Sequence, residues 1–176
     1  MRFDADEQLK RAMDAYGESV WRLAYVMTGN RHVSEDVFQE TFSKLYFLKK
    51  DFESDEHVKN WLLKVTGNQC RSILRAKKRW RMVPYEQSVH DMPKMDESFS
   101  EIEGSETLER AFAVLNADER EVLHLRIVED KTTKEIAKLL QCPHATVRTR
   151  LRRAKLKISK SFEGEGGIGG NEGKGD

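Results

Sequence analysis

The sequence predicts an all-α protein: two small helical domains joined by a flexible linker, the second a helix-turn-helix. Apolar residues recur at three- and four-residue steps through most of the chain, which is the helical period. Only three prolines stand in 176 residues, and Lys, Arg, Glu and Leu, all good helix formers, are abundant. Charged residues make up 35% and apolar ones 38%, with a mean hydropathy of −0.71. That apolar share is below the ~45–50% of an average globular chain, which argues for small modules with wide solvated faces. Domains typically run ~100–150 residues, so this length allows one ordinary domain or two small ones.

The elements follow in order. Leu9, Met13, Tyr16, Val20, Leu23, Ala24 and Met27 mark an amphipathic helix over about 6–28, and Gly29-Asn30 stops it. A second helix is expected from about Ser34 to Lys50, with Val37, Phe38, Thr41, Phe42, Leu45 and Tyr46 on its apolar side. Asp51-Phe52-Glu53-Ser54 breaks it, and a longer third helix carries Val58, Trp61, Leu62, Val65, Ile73 and Leu74 inward. Gly67 inside that helix costs ~1 kcal/mol relative to Ala, so it marks a close contact or a bend. These three helices make a first domain, 6–82. Residues 83–104 hold Pro84 and Pro93 and few periodic apolar residues, and read as a linker. Fully extended, it reaches ~70–80 Å, about two turns of DNA at ~34–36 Å each.

The second domain, 105–162, opens with Leu108, Phe112 and Leu115 on a helix that Asn116 interrupts. Asn116-Ala117-Asp118-Glu119 has the pattern of a capping box and places Val122, Leu123, Leu125 and Ile127 on a new helix. Thr132-Thr133-Lys134-Glu135 repeats the device for a short helix with Ile136, Ala137, Leu139 and Leu140. Pro143 suits the first turn of the last helix, where its missing N–H would be unpaired anyway. Val147, Leu151, Ala154 and Ile158 turn inward along that helix, to about Ser161. The remainder, 163–176, holds seven glycines and reads as a disordered tail.

Net charge is +1, but the charges are segregated. Eight basic residues and no acid lie between His57 and Tyr85, and eight acids against Lys94 between Glu86 and Glu109. Ten basic residues then face Glu135 alone between Lys131 and Lys160. Two basic blocks separated by an acidic one suggest two polyanion-binding modules on a repelling linker; a solvated helix face is the plainer reading of each block. No apolar run approaches the ~18 residues of a membrane span, and the N-terminus has no apolar signal core. Cys70 and Cys142 match no metal spacing or redox pair. The expected compartment is therefore the cytoplasm, without membrane insertion. No Gly-rich phosphate loop, H-E-x-x-H or catalytic triad is recognisable, and the five histidines are scattered. No enzyme activity, cofactor or metal site is expected.

A short helix, a tight connection and a helix studded with arginine form the helix-turn-helix pattern. With Val147, Leu151, Ala154 and Ile158 inward, Arg148, Thr149, Arg152 and Arg153 project elsewhere, where a forked guanidinium can reach guanine edges or phosphates. In the first domain Trp80 sits inside Lys77-Lys78-Arg79-Trp80-Arg81, a mixture in which a ring stacks on bases while cations track phosphates. Trp61, spaced with Leu62 and Val65, reads as core.

At these residues the chain resembles the extracytoplasmic-function sigma factors, the minimal members of the sigma-70 family of bacterial transcription initiation factors. Ser34-Glu35-Asp36-Val37-Phe38-Gln39-Glu40-Thr41-Phe42 is similar to the family's AED-x-x-QETF segment, which docks on the β′ clamp helices of RNA polymerase. Trp61-Leu62-Leu63-Lys64-Val65-Thr66-Gly67-Asn68 with Arg75 resembles its WLxRIAxN…R stretch, which reads and opens the −10 element. Glu135-Ile136-Ala137 with Thr146 to Ala154 resembles its EIA…TVxSRLxRA helix-turn-helix, which reads the −35 element.

The resemblance spans about 10–81 and 105–161. It implies core polymerase contacts at Asp36, Gln39, Glu40 and Phe42. It places −10 contacts at Asn68, which matches the flipped-base position, and at Arg71 and Arg75, with Lys78, Arg79 and Trp80 beyond. It places −35 contacts at Arg148, Thr149, Arg152 and Arg153. The implied partners are core RNA polymerase (β′ clamp helices and β flap), promoter DNA and, as a candidate, an anti-sigma factor. Packing between helices is the alternative for Gln39 and Phe42, and capping or bridging for Asn68. Ser72 departs from the family's Asp or Asn, Gly67 from a larger residue, and Gln141 and Ala145 from glycines around the turn. No long sensor domain follows the second module, so regulation is expected from outside the chain. A stand-alone helix-turn-helix regulator is the competing reading; it leaves the first basic block and the acidic-aromatic second helix unexplained.

Overall fold

The computed structural model describes residues 4–80 and 105–164. Among them the regular structure is helical: α1 (Ala5–Thr28), α2 (Arg31–Leu48), α3 (Asp55–Trp80), α4 (Ser105–Ala113), α5 (Ala117–Ile127), α6 (Thr133–Leu140) and α7 (His144–Glu163). No helix among the described residues is long and apolar enough to cross a membrane.

Local chemistry sets the boundaries. The Asp4 carboxylate accepts the N–H groups of Asp6 at 3.0 Å and Glu7 at 3.3 Å, which starts α1. Gly29 ends it in the left-handed region at φ 61°, a conformation that glycine adopts without strain. Asn30 at once caps α2, accepting the Val33 N–H at 3.0 Å. That helix therefore begins at Arg31, ahead of the Ser34 start expected from the sequence. Ser34 is instead fully buried, its hydroxyl donating to the Asn30 carbonyl at 2.7 Å and lying 2.9 Å from the Thr28 hydroxyl. Both expected capping boxes are present, at Asn116 with Glu119 and at Thr132 with Glu135. α7 runs through Glu163, so the expected tail begins later than 163. The expected linker, 83–104, and the chain after Gly164 lie outside the described residues.

Two apolar clusters result. One lies within the first three helices and joins Ala12, Val20, Phe42, Leu45, Val58 and Leu62, with Trp61 against it as expected. The other crosses between the modules: Leu23, Ala24, Met27, Val37, Leu63 and Cys70 are continuous with Leu123, Leu125, Ile136, Val147, Leu151 and Ala154. The two modules, expected to be held apart on a repelling linker, thus pack against each other. Ile127, expected on the apolar side of α5, is 68% exposed. Burial, reinforced by Glu121, pushes the Cys70 thiol up to about 12, so it serves as a packing residue.

Candidate nucleic-acid interface

The acidic segment of α2 presents Asp36, Gln39 and Glu40 to solvent. With Val37, Ser43, Gln69 and Ile73 they line a cleft of about 520 Å³ between α2 and α3. Phe42 does not share that surface, contrary to the expectation. It is 3% exposed, and its ring lies 4.8 Å from that of Phe38 inside the first cluster. Asp36 and Glu40 stand one turn apart, whereas Phe42 points about 140° away from the midpoint between them at ~100° per residue, into the bundle.

On α3, Asn68, Arg75, Lys78 and Arg79 are exposed, and the side chain of Trp80 lies outside the described residues. The last turn carries Lys77, Lys78 and Arg79, where cations also oppose the negative end of the helix dipole. Arg71 is drawn away from solvent. One of its nitrogens donates to the Asn68 side-chain oxygen at 2.5 Å, and the other pairs with Glu121 of α5. Asn68 and Arg71 are therefore brought together, but both are engaged within the protein.

The second basic surface is built by α6 and α7. Gln141, where a glycine is common in the resembled family, adopts the left-handed conformation at φ 51° and donates its N–H to the carbonyls of Ala137 and Lys138. The turn is thereby kept with a residue that strains it by about 1–2 kcal/mol. The Thr133 hydroxyl lies 2.7 Å from the His144 ring nitrogen and ties α6 to the start of α7. Val147, Leu151 and Ala154 are buried, which turns Arg148, Arg152 and Arg153 to solvent and leaves Thr149 half-buried between them. Not every cation of this block faces outward. Arg150 donates to Asp118 at 3.0 Å and Lys157 to Glu119 at 2.8 Å, and both bonds hold α7 on α5.

Several charged residues that sequence reasoning did not single out sit at the joint between modules. Glu121 is fully buried and pairs with Arg71. Burial, with Asp118 adding, raises its carboxyl above the usual range although Arg71 opposes this. Glu129 pairs with Lys59 of α3 at 2.6 Å and lies 3.8 Å from His124. Burial raises its carboxyl, but His124, Lys59 and Ser19 together outweigh burial and bring it down to about 2. Arg120 is buried; it donates to the carbonyls of Phe112 at 2.9 Å and Leu115 at 3.1 Å, and across the joint to Val26 at 3.2 Å. Val26 belongs to the last turn of α1, which carries no basic residue of its own, so this guanidinium serves an orphan carbonyl there. Desolvation lowers Arg120 to about 10. The one sequence signal for this cluster was Gly67: a Cβ at that position would collide with the Glu121 carboxylate. Among the described residues no group of His, Cys, Asp or Glu could hold a metal ion.

Comparison with known proteins gives two family matches in chain order: Sigma-70 region 2 over residues 12–80, and Sigma-70, region 4 over residues 105–158. The chain is 26% identical over 161 residues to the ECF RNA polymerase sigma factor SigW of Bacillus subtilis, covering 85% of this chain and 86% of that one. It is 28% identical over 170 residues to the RNA polymerase sigma-H factor of Pseudomonas aeruginosa, covering 88% of each. Its fold is similar to that of the sigma factor RpoE from Bartonella quintana, solved in complex with the anti-sigma factor NepR. The TM-score is 0.66 at 18% identity, over 89% of this chain and 98% of that one.

Proposed function

The chain belongs to the sigma-70 family, among its extracytoplasmic-function sigma factors, and on that premise we propose how its surfaces divide the work of transcription initiation. The protein is a bacterial RNA polymerase sigma factor that directs the core enzyme to specific promoters and promotes DNA melting. Asp36, Gln39 and Glu40 form the docking face for the β′ clamp helices, and Phe42 shapes that helix from within. Asn68 receives a base of the −10 element, while Arg71, Arg75, Lys78, Arg79 and Trp80 track the strand. Arg148, Thr149, Arg152 and Arg153 read the −35 element, with the β flap as the second polymerase contact of this module. The chain supplies recognition and leaves the chemistry to the polymerase, beside which it works in the cytoplasm. An anti-sigma factor, the partner in the similar solved structure, is a candidate partner here as well.

The observation that carries this reading is the pairing of two family regions in order with two solvent-facing basic surfaces, one on α3 and one on α7. Phosphate neutralisation gives such surfaces affinity, and base-edge contacts give them sequence preference. The test is reconstitution with bacterial core polymerase on genomic DNA, followed by sequencing of transcript 5′ ends. Starts that share a −35 and a −10 motif are expected; starts no different from those of core enzyme alone would remove the reading.

A further inference from the structure

The docking face of α2 is left without the aromatic that its motif places there, because the fold buries Phe42. Another ring stands in its place. Phe47, in the last turn of α2, is 70% exposed, the most exposed large apolar side chain among the described residues. At ~100° per residue it points along the midpoint between Asp36 and Glu40, from which Phe42 points ~140° away. Asp36, Glu40, Ser43 and Phe47 therefore form one stripe, and all four are exposed. At ~1.5 Å per residue that stripe is about 16 Å long, acidic at one end and aromatic at the other.

Nothing in the packing of α2 asks for a ring at this position. The inward side of the helix is made by Ser34, Val37, Thr41, Phe42 and Leu45, and neither apolar cluster includes Phe47. A lone exposed apolar residue is ordinary, but three features set this one apart. Its ring lies edge-on to that of Tyr46, with centroids 5.2 Å apart and planes at 83°, so less freedom remains to be lost on binding. Leu48 beside it is also exposed and enlarges the apolar end of the stripe. Finally, the ring continues the face that carries the proposed polymerase contacts, and interfaces are enriched in aromatic residues at their centres with polar residues around them.

We propose that Phe47 is the apolar anchor of the polymerase-docking face, seated in an apolar socket of the core enzyme. Glu40 and Asp36 then meet cations about 10 Å and 16 Å further along the same partner surface. The proposal rests on the sigma-factor reading and deepens it, since it assigns the docking contact a direction: socket at the C-terminal end of α2, basic residues at its middle and beginning. The exposed pair between Glu40 and Lys44, at 3.5 Å, is no obstacle, because such pairs contribute little and open readily.

The experiment titrates the full chain, labelled at its N-terminus, with purified bacterial core polymerase and reads the Kd by fluorescence anisotropy at low and high salt. Phe47→Ala should weaken binding at least about tenfold. The loss should be similar at both salt levels, because an apolar contact is not screened, and the melting temperature should not change. Asp36→Arg should lose affinity chiefly at low salt. Phe47→Leu, which keeps an apolar side chain, should fall between wild type and Phe47→Ala. Wild-type affinity in Phe47→Ala overturns the proposal and leaves the sigma-factor reading standing, whereas a wild type that does not bind core polymerase removes both. A wild type that self-associates in sedimentation, with Phe47→Ala monomeric at unchanged core affinity, assigns the ring to a second copy of the chain and overturns the proposal. If Phe47→Ala melts lower than wild type, Phe47→Gln decides, since it keeps bulk and helix propensity without the apolar surface. Unchanged core affinity in that variant overturns the proposal, and so does a lowered melting temperature in both variants, which would make the ring a packing residue.

Discussion

The carboxylate of Glu121 rests where a side chain of Gly67 would be, so the absence of a Cβ on α3 is what admits an acid from α5. Ala in place of Gly within a helix ordinarily stabilises by about 1 kcal/mol. Here that gain should be cancelled, because the added methyl forces a buried carboxylate to move. Urea denaturation should show Gly67→Ala no more stable than wild type. In a Glu121→Ala background the same change should recover about 1 kcal/mol. A full gain in the wild-type background would mean that Glu121 does not lie over Gly67.

Phe42 and Asp36 should separate packing from docking. Phe42→Ala removes a buried ring and should cost about 3–5 kcal/mol of stability. Asp36→Arg is an exposed change, expected to shift stability by no more than about 0.5 kcal/mol, yet it should weaken capture by core polymerase. Thermal melts paired with a core-enzyme pull-down check both. Equal retention of wild type and Asp36→Arg would remove α2 from the polymerase interface.

The arginines of α7 should divide in the same way. Arg148→Ala and Arg152→Ala are expected to leave the melting temperature unchanged. Each should lower initiation from −35-dependent templates, by about 1–3 kcal/mol in discrimination where a base edge is contacted. Arg150→Ala breaks the bond to Asp118 and should cost up to about 1 kcal/mol of stability, since that pair is partly exposed. Loss of stability in the first two variants with normal initiation would invert the assignment.

Asn68→Ala should impair promoter opening more than closed-complex binding. Closed-complex affinity comes mainly from phosphate charge, whereas an extruded base needs a partner for its edge. Permanganate reactivity of thymines at the −10 element should fall in the variant. Undiminished reactivity would leave Asn68 as a partner for Arg71 and nothing more.

The two buried acids of the joint should respond to pH with opposite signs. The Glu129 carboxyl is held at about 2, below its ordinary 4.5. It stabilises the folded chain above pH 4.5, by roughly 3 kcal/mol, and that contribution is lost as pH falls towards 2. The Glu121 carboxyl is raised, so its contribution is fully present below 4.5 and is lost as pH rises through its folded value. Denaturation at pH 7, 4.5 and 2.5 should therefore show Glu129→Gln losing less stability than wild type between 4.5 and 2.5. Glu121→Gln should gain less than wild type on going from 7 to 4.5. Parallel curves for wild type and both variants would remove the charges from the joint.

Much of this fold could be read along the chain because its signals are local. The stop at Gly29-Asn30, the boxes at Asn116 and Thr132, and the inward stripe of Val147, Leu151 and Ala154 each depend on residues within a turn or two. The outward set on α7 followed from the same stripe. Phe42 was misplaced because a motif says which residues accompany one another, while helix rotation says which of them face solvent. Gln141 could hold a position common to glycine because left-handed backbone is costly for it but not forbidden.

Helical period, capping chemistry and charge blocks account for the seven helices among the described residues and for the outward basic faces of α3 and α7, since these depend on neighbours in the chain. Packing alone settles which face of α3 meets which face of α5, and so turns Arg71 from a strand-tracking cation into the partner of a buried acid. Those two residues stand 50 positions apart. Nothing in the period of either helix encodes their meeting, because each stripe specifies that a face is buried and not what it is buried against.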